Sequence, residues 1–460
     1  MAQWLGSIGR RAMRRFGKAV PVLAVVTAGL VLALPHASGG TPPELKGLDA
    51  IYPSLDALYC DLHQNPELSF QEEKTAAKLA TRLRAYGYEV TERVGGHGVV
   101  AVLANGAGPT VMVRTDMDAL PIPEQTGLPY ASSAMAVNDT GEKVPVMHAC
   151  GHDVHMVSWL GAAVLLAQNR DGWRGTVVFV GQPAEEVLQG AGLMIRDGLL
   201  TRFPKPDFVV GLHVTNLLPA GQVGVVSGPA SAASNAVDIT FFGKGGHGGS
   251  PHRAIDPLLM AARAVVTLQT IVSREIDPLE PAVVTVGTFH AGNKRNIIAD
   301  EAKLQLTVRS FKPEVQKQIL AAIARIAKAE AAAAGAPREP LVTVDEKEAS
   351  EVVINDPALA ARLATALRRG FGEGVVAPIG PGTTSEDFGL YGTGAGAPSV
   401  HLRLGAIEPG AFAAAKAAGK TPPGPHSPMF GPDRERTLRT GVALLMYSVL
   451  DLLGGPGAPR

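Results

Sequence analysis

The chain has 460 residues, 46% hydrophobic and 18% charged, with 42 basic and 42 acidic side chains and a formal net charge of zero. At roughly 150 residues per domain, that length predicts two or three domains. The balanced charge excludes a polyanion-binding character, so no nucleic-acid partner is expected.

Residues 1–43 contain no acidic side chain. Arg10, Arg11, Arg14, Arg15 and Lys18 precede an uncharged apolar run, AVPVLAVVTAGLVLAL at 19–34, followed by PHASGG. A basic start, a short apolar core and small residues read as an export signal or anchor over residues 1–40. The apolar run is shorter than the roughly 20 residues a spanning helix needs. The expected location is exported, periplasmic or secreted, with membrane attachment through 19–34 if the segment is retained. The paired arginines in RRAMRRFGK match a twin-arginine signal imperfectly. Export permits disulfides, so a Cys60–Cys150 bridge is one reading of the two cysteines.

Past Thr41, residues 48–90 read as two helices broken at Pro66. Strands are predicted at 98–105 and 109–116, then a helix at 154–170 and a buried strand at 175–186 that ends in polar residues. A helix at 191–200 and a strand at 207–214 follow. Helices alternating with near-continuous apolar strands predict an α/β sheet covered on both faces. From about Ser227 the pattern changes. A half-buried strand at 235–243 leads to a helix at 256–275, strands at 282–291 and 298–311, a helix at 313–335 and a strand at 340–348. The long helix opens with Pro313 and ends at Gly335. This β-α-β-β-α-β order is ferredoxin-like. It predicts a first catalytic part at 41–226, an inserted domain at 227–345 and a second catalytic part at 346–460, with helices at 355–372 and 432–453.

Metal-ligand residue types gather at predicted strand ends and loops. MHACGHDVH at 147–155 holds Cys150 and His152, which in an extended segment would point the same way. Glu185 and Glu186 follow a strand directly, His213 ends another, and His426 lies in a late loop, GPHSPMF. Ligand sites of open α/β sheets lie outside the carboxyl ends of the strands. Imidazoles, a thiolate and a carboxylate suit Zn, Mn, Co or Ni. Two such ions sharing a ligand can activate a water and polarise a carbonyl, and a neighbouring carboxylate can then move the proton. Taken singly, each group has an ordinary reading: a solvated glutamate pair, a packed histidine, a buried or disulfide-bonded cysteine. His148 and His155 also read as hydrogen-bonding neighbours of the loop.

The motifs DLHQNPELSFQE, VRTDMDALPIPEQTGLPY, MHACGHDVH, GQPAEE, GLHV, GKGGHGGSPH, TTSEDFG and PHSPMF occur in this order over about residues 45–450. In this the chain resembles the metal-dependent amidohydrolases related to hippurate hydrolase and the plant indole-acetyl-amino-acid hydrolases, within the aminoacylase/carboxypeptidase superfamily. The resemblance implies a metallopeptidase-type catalytic domain with helices on both faces of a mixed sheet, plus an inserted ferredoxin-like lid and dimerisation domain. It implies two divalent metal ions, with Cys150 as bridging thiolate and His152, Glu186, His213 and His426 as the other ligands. Glu185 corresponds to the general acid/base, and His247 and Asn296 to substrate-binding residues. Asp116 and Asp118 read as orienting ligands, or Asp118 as capping the turn before Pro121; SEDF at 385–388 lies where the family's substrate pocket is, with Ser385 and Asp387 read as shaping that loop. The implied activity is hydrolysis of the amide bond of an N-acyl amino acid or related small amide by a metal-activated water, in a homodimer. A dipeptidase or carboxypeptidase on the same scaffold, or a non-catalytic binding protein, are the alternatives. Two departures from the family bear on the pocket: EKEASEVVIND at 346–356 lacks a Tyr/Pro-rich stretch, and the segment before His426 is longer than usual.

Overall fold

The computed structural model describes Leu45 and residues 47–454; the export segment expected over 1–40 lies outside the described residues. The first part contains α1 (Leu48–Gln64), α2 (Glu73–Ala85), β1 (Glu89–Val94), β2 (Gly98–Asn105), β3 (Thr110–Asp116), β4 (Met135–Val137), β5 (Lys143–Pro145) and α3 (His152–Gln168). It continues through β6 (Gly175–Gln182), α4 (Gly190–Arg196), α5 (Leu199–Arg202), β7 (Phe208–Pro219), β8 (Val223–Gly224) and β9 (Gly228–Ser231). Then come β10 (Ala233–Phe242), β11 (Gly246–His247), α6 (Pro257–Thr270), β12 (Ala282–Ala291), β13 (Ile297–Ile298), β14 (Glu301–Ser310), α7 (Pro313–Ala333) and β15 (Leu341–Ser350). The last part holds β16 (Val353–Asn355), α8 (Pro357–Phe371), β17 (Val376–Ala377), α9 (Gly389–Ala395), β18 (Ser399–Ile407), α10 (Pro409–Ala417) and α11 (Arg434–Leu452).

Eight strands make one mixed sheet in the order β1-β2-β6-β3-β7-β18-β8-β17. β6, β3, β7 and β18 run parallel at its centre, and β2 and β1 close one side antiparallel. Side chains alternate across a strand, and here the alternation feeds two cores. Val111, Val113, Val177 and Phe179 enter the core beneath α1, α2, α3, α8 and α11, whereas Met112, Val178 and Val180 enter a second one with Ala191 and Met194 of α4 and Tyr391 of α9. Helices thus cover both faces, as the apolar strands predict. α3 is buried along nearly its whole length. A Cβ on its Gly161 would stand 2.5 Å from Val442 of α11 and 2.9 Å from Leu55 of α1, so glycine lets the three helices approach.

The second sheet has the order β12-β14-β10-β15, antiparallel throughout, which is the ferredoxin-like arrangement. One face of it packs on α6 and α7 around Ile239, Phe241, Leu304, Met260 and Ile319. α6 starts at an Asp-Pro pair: Asp256 accepts from the Leu258 N–H at 2.9 Å and Pro257 opens the helix. β9, just before this sheet, pairs with β16, just after it, so the chain leaves and returns at one place.

The sequence reading lacks β1 and the short strands β4, β5, β8, β9, β11, β16 and β17, and two longer strands also depart from expectation. β18 is absent from the sequence reading although all nine of its residues are buried. His401 and Arg403 interrupt its apolar pattern: Arg403 meets the His401 ring and donates to the Ser231 hydroxyl and the Ala230 carbonyl, and Asn355 accepts from the His401 peptide N–H. β7 runs past residue 214 to Pro219 because β18 supplies ladder partners along it, so His213 lies within the strand rather than at its end. Among the described residues no helix is long and apolar enough to cross a membrane.

Candidate metal centre

Cys150 and His152 do not sit in an extended segment. Cys150 lies in a turn and His152 opens α3. Gly151 joins them with φ 79°, and a Cβ there would stand 2.7 Å from Val214 Cγ2. The left-handed residue, not strand alternation, brings the two side chains into one space. His426 also has positive φ, 67°, and its N–H donates to the Ala149 carbonyl at 2.8 Å, which docks the late loop against the Cys150 turn.

The donor atoms converge in three groups, each with its atoms within 4.8 Å of one another: Cys150, His152 and His213; Cys150, Glu186 and His426; and His152, Glu185 and Glu186. Cys150, His152 and Glu186 each belong to two of them. Cys150 Sγ lies 3.4 Å from His213 Nε2, His426 Nε2 lies 3.3 Å from Glu186, and His152 Nε2 lies 3.8 Å from both Glu185 and Glu186. Ligand atoms around a tetrahedral ion at the usual bond lengths stand roughly 3–4 Å apart.

Hydrogen bonds set the tautomers. His152 Nδ1 donates to the Asp118 carbonyl at 2.7 Å, and His213 Nδ1 to the Val214 carbonyl at 2.7 Å. A carbonyl only accepts, so each Nε2 keeps its lone pair for the cluster. His152 Nε2 and Glu186 Oε1 are buried with no hydrogen-bond partner. Burial opposes charge on His152, yet Asp116 and then Asp118 push it up to about 10, the mark of a negative site suited to a cation. Burial and then the Glu186 carboxylate hold the Cys150 thiol well above its ordinary value; a bound ion would reverse that. The donor set fits divalent metal.

Glu185 is 5% exposed. Its carboxyl lies within 4.8 Å of those of Glu386 and Asp387. Burial, and then Glu386, raises it well above the ordinary carboxylate range. Behind it the buried Arg114 donates to Gln182 at 2.8 Å, Asp116 at 2.6 Å, Glu386 at 2.9 Å and Asp387 at 3.3 Å. Asp116 also accepts from His155 Nδ1 at 2.7 Å, and His155 Nε2 accepts from the Val214 N–H at 2.9 Å. Both nitrogens of His155 are thus committed to positioning. His148 is buried with neither ring nitrogen hydrogen-bonded, and burial pushes it down to about 4. Asp118 accepts from the Glu186 N–H at 2.9 Å through its side chain, so it orients two of the donors. Cys60 and Cys150 are separate thiols, and Cys60 accepts from Arg434 at 3.1 Å.

His247 and Asn296 stand outside these groups. Both are exposed; His247 lies on β11 opposite Ile297 of β13, and the Gly248 N–H donates to the Asn296 carbonyl at 2.8 Å. They are neighbours on the ferredoxin-like part. Sequence reasoning missed Arg114 and Glu386. Arginine inside the apolar strand VMVRTD was the available signal for the first; the motif TTSEDFG marked the segment of Glu386, but nothing local paired it with an arginine 272 positions away.

The family model described as peptidase family M20/M25/M40 matches residues 112–422. A probable hydrolase of Synechocystis is 39% identical over 366 residues, covering 79% of this chain and 88% of that one. Hippurate hydrolase of Campylobacter jejuni is 38% identical over 351 residues, covering 76% and 87%. A dinuclear metal-binding peptidase of Bacillus subtilis from the M20 family superposes with a TM-score of 0.71 at 30% identity, covering 89% of this chain and 100% of that one. The chain belongs to peptidase family M20/M25/M40.

Proposed function

We propose that this hydrolase cleaves the amide bond of N-acyl amino acids or related small amides that carry a free carboxylate. One observation carries the reading: the donor groups overlap, with Cys150, His152 and Glu186 each in more than one of them, and Glu185 is buried beside them. Cys150, His152, Glu186, His213 and His426 would hold two divalent ions, drawn from Mn, Zn, Co and Ni. Such ions supply Lewis acidity toward a carbonyl and a water molecule. Glu185, its carboxyl raised by burial and by Glu386, takes the proton of the attacking water and delivers it to the departing nitrogen. Arg114 fixes Asp116, Glu386 and Asp387 around it. The hippurate hydrolase relative, named for an N-acyl amino acid, supports the substrate class.

Residues 227–345 are read as an inserted lid and dimerisation domain; a core of their own and the β9–β16 pairing support the insertion, and the lid and dimerisation roles rest on the family resemblance. Closure of that part would bring His247 and Asn296 to the substrate. Export through residues 1–40 rests on the basic and apolar pattern there.

The test is hydrolysis of a panel of N-acyl amino acids and dipeptides by wild type and Glu185→Gln, after metal removal and restoration of Mn, Co, Zn or Ni. Activity should return with metal and fall roughly 10²- to 10⁴-fold in Glu185→Gln with metal still bound. Cleavage of dipeptides alone would redirect the reading to a dipeptidase. Bound metal with no turnover on any substrate would favour a binding protein.

A further inference from the structure

The motif PELSFQE at 66–72 contributes no metal donor. It forms the link between α1 and α2, yet its polar groups reach the Glu185 loop. Glu72 is fully buried. Its Oε1 accepts from the Ala184 N–H at 2.8 Å and from the Phe70 N–H at 3.0 Å. Ser69 donates to Asp118 Oδ2 at 2.6 Å, and the same Asp118 oxygen accepts from the Glu186 N–H at 2.9 Å. The two peptide N–H groups that flank Glu185 are therefore each held by a buried carboxyl, and both carboxyls are tied to residues 69–72.

The loop needs such a hold. Ala184 and Leu188 have φ of 51° and 57°, a region side chains other than glycine adopt at a cost. The Ala184 carbonyl turns inward to accept from the Gln189 and Gly190 N–H groups, and the Glu185 carbonyl accepts from the Leu188 N–H at 2.7 Å. The Ala184 N–H thus faces outward from this turn and meets Glu72. We infer that Glu72 is a positioning residue for Glu185, fixing the left-handed Ala184 from which the Glu185 side chain departs. This role rests on Glu185 being the proton carrier. One oxygen, Oε1, does the holding, and Oε2 is buried with no hydrogen-bond partner. Burial and then Asp118 push Glu72 up to about 8, toward the uncharged acid whose accepting oxygen glutamine keeps.

The test compares Glu72→Met, which fills the space without an acceptor, with Glu72→Gln, which keeps one. Hydrogen exchange read by mass spectrometry over residues 183–190, in metal-loaded protein, needs no turnover. Exchange there should quicken in Glu72→Met and stay at the wild-type rate in Glu72→Gln. On any substrate the wild type cleaves, kcat should fall about ten- to hundredfold in Glu72→Met. KM should stay within about threefold and metal content should not change, and Glu72→Gln should restore kcat to within about threefold of wild type. Unchanged exchange in Glu72→Met, equal damage from Glu72→Gln, or exchange quickened along the whole chain would each overturn the assignment. Quickened loop exchange in Glu72→Met, with a wild type that hydrolyses nothing, would instead count against the hydrolase reading and leave the loop contact standing.

Discussion

Gly151 shows how much of the centre depends on one backbone conformation. Its φ of 79° turns the chain between two donors, and its missing Cβ leaves room for Val214. Gly151→Ala adds a strained conformation and a 2.7 Å contact together. The variant should lose about 1–3 kcal/mol of stability and bind metal more weakly, measurable by chemical unfolding and by titration with a metal indicator. Wild-type metal affinity in Gly151→Ala would show that the turn does not set the donors. At this scale the donors were legible because cysteine, histidine and paired glutamate are rare company in short motifs. The residues that hold them were not. Glu72 meets Ala184 across 112 positions, and Arg114 meets Asp387 across 273. No local spacing encodes such a pairing.

Among elements, α3 is held at its first turn by a buried chain of hydrogen bonds. His63 of α1 joins Asp153 Oδ2 at 2.6 Å and Glu124 Oε1 at 3.1 Å, linking α1, α3 and the loop after β3 next to the donor His152. Burial opposes charge on His63, but the hydrogen bonds to Asp153 and then Glu124 push it from 6.5 up to about 10. A raised folded-state value means the stabilisation is complete below the unfolded value and is lost as pH climbs through the folded one. The stability difference between wild type and His63→Gln should therefore be full below pH 6.5 and shrink toward pH 10. Denaturant unfolding of both proteins across that range, with metal saturating, measures it. A difference that grows with pH would mean His63 is neutral in the folded chain. The elements themselves were largely legible where apolar strands and capped helices agree with their tertiary partners, as at β2 and α6. β18 escaped because two buried polar residues, His401 and Arg403, break its pattern and are accommodated only by the finished fold.

Across the whole molecule, the parallel strands β6, β3, β7 and β18 bring distant segments to one end of one sheet. Glu185 and Glu186 follow β6, Asp116 ends β3, and His213 lies within β7. The Cys150 turn precedes α3, which packs on those strands, and the His426 loop returns to the Ala149 carbonyl. The ferredoxin-like part keeps its own core, and a separate two-stranded pairing of β11 with β13 carries His247, with Asn296 just before β13, outside the donor groups. Its β-α-β-β-α-β order was readable from alternation because one face is exposed; the position of His247 relative to the centre was not, since no local pattern fixes it.

The central claim is a two-ion centre joined by Cys150. Its most direct test is metal content by mass spectrometry for the wild type and for Cys150→Ser after dialysis against limiting Mn, Zn, Co or Ni. Two ions per wild-type chain and fewer than two in Cys150→Ser are predicted. No more than one ion per wild-type chain with every metal, or two ions retained as tightly in Cys150→Ser, would contradict it.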